Sequence, residues 1–143
     1  MNGLRTTLGT LLAFCALNAL GGGSYGLAGA PGIPVEWLAG SPFGSYLVPS
    51  LVLIGVVGGC HAVAAFWVFT RRRHAELLAI AGGIILTIWI VVQLSIIGYV
   101  SWLQPTVGVL AGCILILAAV LSRSETPQDK DRIGSNQQPK HTA

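Results

Sequence analysis

The chain has 143 residues, of which 53% are hydrophobic and 9% charged, with a formal net charge of +3 and a mean hydropathy of +0.73. This is the profile of an integral membrane protein rather than of a water-soluble domain. Between Thr6 and Ser122 the only charged residues are Glu36, Arg71, Arg72, Arg73 and Glu76, so the gaps between charges delimit the elements.

A membrane-crossing helix needs about 20 apolar residues at ~1.5 Å of rise each. The first candidate span covers about residues 6–28. It contains Asn18 and the run Gly21-Gly22-Gly23, which loosens a helix by roughly 1 kcal/mol per glycine. Arg5, the run from Leu8 to Leu17 and Ala28-Gly29-Ala30 partly match a cleaved signal peptide, but the stretch is long for that layout. A retained helix is expected. Leu12-Ala13-Phe14-Cys15 is no lipoprotein cleavage box, because Phe14 stands where a small residue is required.

A loop follows over residues 29–45. Val35-Glu36-Trp37-Leu38-Ala39 predicts a short interfacial helix there. Tyr25, Trp37, Phe43 and Tyr46, together with Trp102 further on, suit an aromatic belt at the membrane surface. The second span runs over about 46–69, with Pro49 in its first turn, where a missing N–H is harmless. Arg71-Arg72-Arg73-His74 ends it. Next comes an uncharged stretch of about 46 residues, Leu77–Ser122. As one helix it would be roughly 69 Å long, about twice the hydrocarbon thickness, so it must fold back. Ser101-Trp102-Leu103-Gln104-Pro105 is the punctuation, since Pro105 disfavours helix at Gln104 and suits the first turn of a new one. The expected spans are about 77–100 and 105–121.

The predicted fold is therefore all-α: a four-transmembrane-helix bundle over residues 1–122, with a disordered tail over 123–143. The tail carries Pro127, Gly134 and Pro139 and nearly balanced charges, which argues for disorder and against nucleic-acid binding. All eight lysines and arginines lie at Arg5, Arg71–Arg73, Arg123, Lys130, Arg132 and Lys140. By the positive-inside rule, both termini and the Arg71–His74 loop are expected in the cytoplasm.

The strings Pro34-Val35-Glu36-Trp37-Leu38-Ala39-Gly40-Ser41-Pro42-Phe43, then Tyr46 and Pro49, and Ser101-Trp102-Leu103-Gln104-Pro105 resemble those of an uncharacterised group of small bacterial four-helix membrane proteins. The resemblance covers about residues 5–121. It implies the same architecture and no activity; a multi-pass protein of a bacterial inner membrane is expected.

Small residues mark close helix contacts in lipid. Gly55 and Gly59, and again Gly108 and Gly112, stand four apart, as do Ala79 and Gly83 less strongly. These predict tight contacts, either within the bundle or between copies. Asn18, Gln93 and Ser95 are expected to hydrogen-bond across helices, with a polar path as the alternative. His61 is the one ionisable side chain deep in a span, roughly 22 Å along the second helix. Such a residue is a functional candidate by default, although a packed neutral histidine is the simpler expectation. Cys15, Cys60 and Cys113 form no Cys-x-x-Cys, and no phosphate loop, zinc spacing or nucleophile elbow is present.

No cofactor or catalytic residue is assigned. Glu36, Trp37, His61, Gln93, Trp102 and Gln104 are the functional candidates. The expected activity class is a non-enzymatic accessory or interaction protein. The alternatives are an oligomeric small transporter or channel subunit and, third, a redox protein using His61. Expected partners are membrane lipids, a second copy or another membrane protein.

Overall fold

The computed structural model describes residues 2–135. Four helices are each long and apolar enough to cross a membrane: Asn2–Leu27, Leu47–Phe69, Ala75–Ile97 and Leu103–Ser124, the last continuing as helix to Ser135. They form a multi-pass, all-helical bundle with no strand among the described residues. Each helix packs on its neighbour in sequence, and the fourth closes the ring against the first. The second and fourth lie diagonally opposite, without close backbone approach among the described residues.

The packing puts small residues inside and large ones outside. Ala19, Ala64, Ala65, Ala75, Ala79, Ala111 and Ala118 are in the core, filled out by Leu8, Leu12, Val57, Val68, Ile114 and Leu121. Leu17, Ile88, Val109 and Ile116 are more than half exposed. Lipid solvates large apolar side chains as well as a protein interior does, so close backbone approach decides which residues turn inward. On the fourth helix the core stripe is Ala111, Ile114, Ala118 and Leu121, the 3-4-3 spacing of one helical face.

Chain reversals set the helix ends. The first helix ends at Leu27, and the chain turns away at Gly29, whose φ of 89° is the left-handed conformation glycine tolerates; Gly29 N–H donates to the Gly26 carbonyl at 3.0 Å. The third helix ends at Ile97 rather than near residue 100, because Gly98 takes φ 73° and ψ −167° and turns the chain out of the helix. The fourth begins at Leu103, two residues before Pro105, with the Leu103 N–H donated to Ser101 Oγ at 3.3 Å. Pro105 still falls in the first turn, as its missing donor requires.

The expected boundary at residue 122 is not a break in the backbone. Once a helix is nucleated by packing, each added residue gains a hydrogen bond at small cost, and the last helix runs on to Ser135. The part of the expected tail over residues 136–143 lies outside the described residues.

Candidate functional site

Two places hold the side chains singled out by the sequence: the buried middle of the bundle around His61, and the end formed by the loop 28–46 and the turn 98–102.

His61 is fully buried on the second helix. Just before it, Leu53–Gly58 is a π-helical stretch, a wide turn with i→i+5 bonding often found near functional residues. His61 Nδ1 lies 2.7 Å from the Val57 carbonyl, so Nδ1 carries the proton and donates. Nε2 is then an acceptor, and it is buried with no hydrogen-bond partner. It faces Gly82 of the third helix. A Cβ at Gly82 would sit 3.7 Å from Nε2 and 3.6 Å from Leu12 Cδ2. The ring is thus wedged between the first and third helices, in a space closed by carbon. His61→Met, close in volume and free of the unmet nitrogen, is expected to be as stable as the wild type or more so. His61→Ala leaves a void and is expected to cost roughly 2–4 kcal/mol. Thermal unfolding in detergent distinguishes the two.

The other polar in-span residues do not gather around His61. Asn18 is exposed on the outside of the first helix, and its Nδ2 donates to its own helix at Phe14 O, 2.8 Å away. Ser95 is likewise exposed and donates to Val91 O at 2.8 Å. Gln93 is half-buried and sits about 16 Å along the third helix from Gly82. Among the described residues Asn18 and Ser95 therefore make no cross-helix bond, and Asn18, Gln93 and Ser95 do not join into a polar path. A short polar side chain on a helix reaches its own i−4 carbonyl without help from a neighbour.

The glycine pairs are also redistributed. Around Gly55, Gly108 and Gly112 the position of a Cβ is empty to 4 Å, and Gly59 would meet only its own helix. Gly55 lies inside the π turn and Gly59 just after it, so a spacing of four does not stack them as it would in an α-helix. With Cys60, Val63, Leu78 and Ala81 they line a shallow groove on the bundle surface. Gly108 and Gly112 lie off the stripe of Ala111 and Ala118. The contacts inside the bundle fall instead on Gly9, Gly23, Gly26 and Gly83, where an added Cβ would come within 3 Å of a neighbouring helix's side chain. Of the spacings read from sequence, Ala79 and Gly83 are the pair realised: Ala79 is fully buried and Gly83 is pressed against Leu115.

At the loop end, Val35–Leu38 forms a short 3-10 turn. Leu38 is buried, and the turn rests on the third helix. Two tyrosines tether the loop to the bundle: Tyr46 Oη donates to the Pro34 carbonyl at 2.7 Å, and Tyr25 Oη to the Pro31 carbonyl. Burial, and then the Glu36 carboxylate, push the Tyr46 phenol above its ordinary pKa. Glu36 and Trp37 are left exposed on this turn.

The neighbouring turn is organised by Gln104, only 3% exposed. Its Oε1 accepts from the N–H groups of Val100 at 2.9 Å and Ser101 at 3.3 Å, and its Nε2 donates to the Gly98 carbonyl at 2.9 Å. Gln104 is therefore a turn-building residue rather than a surface contact. The residue it presents is Trp102, 70% exposed, beside Tyr99 at 71%. Sequence reasoning passed over Tyr99; its place next to a glycine and Trp102 was the available signal.

Among the described residues no group of three or more His, Cys, Asp or Glu side chains is placed to hold a metal ion. Cys15 is buried, Cys60 half-buried and Cys113 exposed on the apolar surface. No family model, curated protein or solved structure matches the chain.

Proposed function

We propose that this is a non-enzymatic accessory protein of a bacterial inner membrane, which engages a membrane-protein partner or lipid headgroups through its loop end. The observation that carries the reading is the contrast between the two candidate places. The interior is filled by alanines, leucines and a wedged histidine, while the loop end holds Glu36, Trp37, Tyr99 and Trp102 exposed on tethered turns. Fixed aromatic side chains supply contact area at low entropic cost. The same residues also suit anchoring in the interfacial belt, which is why lipid remains among the partners. The arginine distribution supports a cytoplasmic position for both termini and an outward-facing loop end. The resemblance to small bacterial membrane proteins supports the location.

The transporter alternative requires a path that a single filled bundle does not offer. The redox alternative requires access to His61 Nε2, which Gly82 and Leu12 enclose.

The test is photo-crosslinking in native membranes from a reactive residue placed at Trp102 or Trp37, with Val109 as a lipid-facing control. A discrete protein or headgroup adduct from the loop-end positions, weakened by Glu36→Lys and absent from Val109, is the expected result. Equal labelling at all three positions would remove the basis for the reading. So would solute flux through the purified protein in vesicles.

A further inference from the structure

The first helix is the least apolar of the four, with a mean hydropathy of 1.3 against 2.1 to 2.4 for the others. Polar groups within a membrane normally face protein rather than lipid. Here the first helix does the reverse. Leu8, Leu12, Cys15 and Ala19 face the core, and Thr7, Phe14, Asn18 and Gly21 stand exposed. With 3.6 residues per turn these four exposed residues share one face.

Asn18 lies about 5 Å from the midpoint of a helix roughly 39 Å long, well within hydrocarbon about 30 Å thick. Its bond to Phe14 O uses one amide N–H. The second N–H and the Oδ1 have no partner among the described residues, and water is absent at that depth. By contrast, the Thr87 and Ser95 hydroxyls each have their one proton donated to a carbonyl of their own helix. Asn18 keeps both a donor and a strong acceptor on the exposed side of its helix, whereas Gln93, another amide within a span, is half-buried.

An amide with one free N–H and one free oxygen is complementary to itself. Two copies inserted in the same orientation and related by a two-fold axis along the membrane normal bring their first helices together in parallel, at the same depth. Each Asn18 N–H then meets the Oδ1 of the other copy. A single asparagine fixing register between paired helices is a well-attested use of such a residue. One turn further on, the Cβ position of Gly21 is open, and Phe14, Leu17, Asn18, Gly21 and Gly22 form a shallow dent that allows the backbones to approach.

We infer that this face of the first helix is a homodimer interface within the membrane, centred on a reciprocal Asn18 amide pair. The occupant is a second copy because the unmet groups on the face match themselves. The inference uses none of the loop-end residues and stands apart from the function proposed above.

The experiment is energy transfer between donor- and acceptor-labelled full-length chains in phosphatidylcholine vesicles, over a series of protein-to-lipid ratios. The wild type is expected to saturate as a dimer. Asn18→Leu is expected to raise the dissociation constant about tenfold while leaving thermal unfolding intact, since leucine suits a lipid-facing site. Gly21→Leu, which fills the dent without touching the bundle, should weaken the dimer in the same direction. Wild-type transfer no greater than random proximity would overturn the inference. So would a dimer that survives both substitutions, or one abolished only by Gly108→Leu on the fourth helix.

Discussion

Gly26→Leu should lower stability by about 1–3 kcal/mol through overpacking. A Cβ at Gly26 would lie 2.0 Å from Ser50 Oγ and 3.2 Å from Ser50 Cβ. Rotating the serine away gives up its hydroxyl bond to the Tyr46 carbonyl, 2.6 Å long, and the Cβ cannot move without the backbone of the second helix. Gly23 is under similar constraint, with a Cβ position 2.3 Å from Ile54 Cγ1 and 3.0 Å from the Ser50 carbonyl. Gly108→Leu and Gly112→Leu meet open space and should stay within about 0.5 kcal/mol of the wild type. Thermal or denaturant unfolding of the three variants in one detergent checks the contrast. A Gly26→Leu protein as stable as the wild type would mean that the first and second helices do not pack as described.

Gln104→Leu should loosen the turn between the third and fourth helices and cost about 2–3 kcal/mol. The estimate follows from three hydrogen bonds at about 0.5–1.5 kcal/mol each when a partner is removed near water. Val100 and Ser101 lose their acceptor and the Gly98 carbonyl loses its donor. Amide exchange at Val100 and Ser101 should accelerate while the middle of the third helix stays protected. Gln104→Glu should fall between, because a carboxylate still accepts from both N–H groups yet faces the Gly98 carbonyl with no proton to donate. Unchanged exchange in Gln104→Leu would show that the turn is held by Gly98 and Pro105 alone.

The two effects differ in how far they were legible beforehand. Gln104 stood out only because it precedes a proline between two apolar runs; its side-chain amide closing back on Gly98, Val100 and Ser101 is a matter of turn geometry. Gly23 was read as part of a glycine run that loosens the first helix and Gly26 was not singled out, yet packing turns both into the contact surface of the first helix on the second. Glycine spacing carries no information about direction: Gly108 and Gly112 have the same spacing as the more productive Ala79 and Gly83, yet point outward. His61 was correctly placed deep within a span by counting residues, but counting could not supply its neighbours, Gly82 and Leu12.

Hydropathy and charge alone determined the number of spans and the positions of the reversals, because no uncharged run of that length can remain in water or cross a bilayer once. Local chemistry added the ends, through Gly29, Gly98 and Pro105. The tertiary structure alone decided which face of each helix is buried. In a bilayer, lipid is as apolar as leucine, so hydrophobicity does not mark the inward side. Close fit does, and close fit depends on the opposing helix. That is why the core is written in alanines, the π turn displaces Gly55 from contact, and Asn18 is left facing outward.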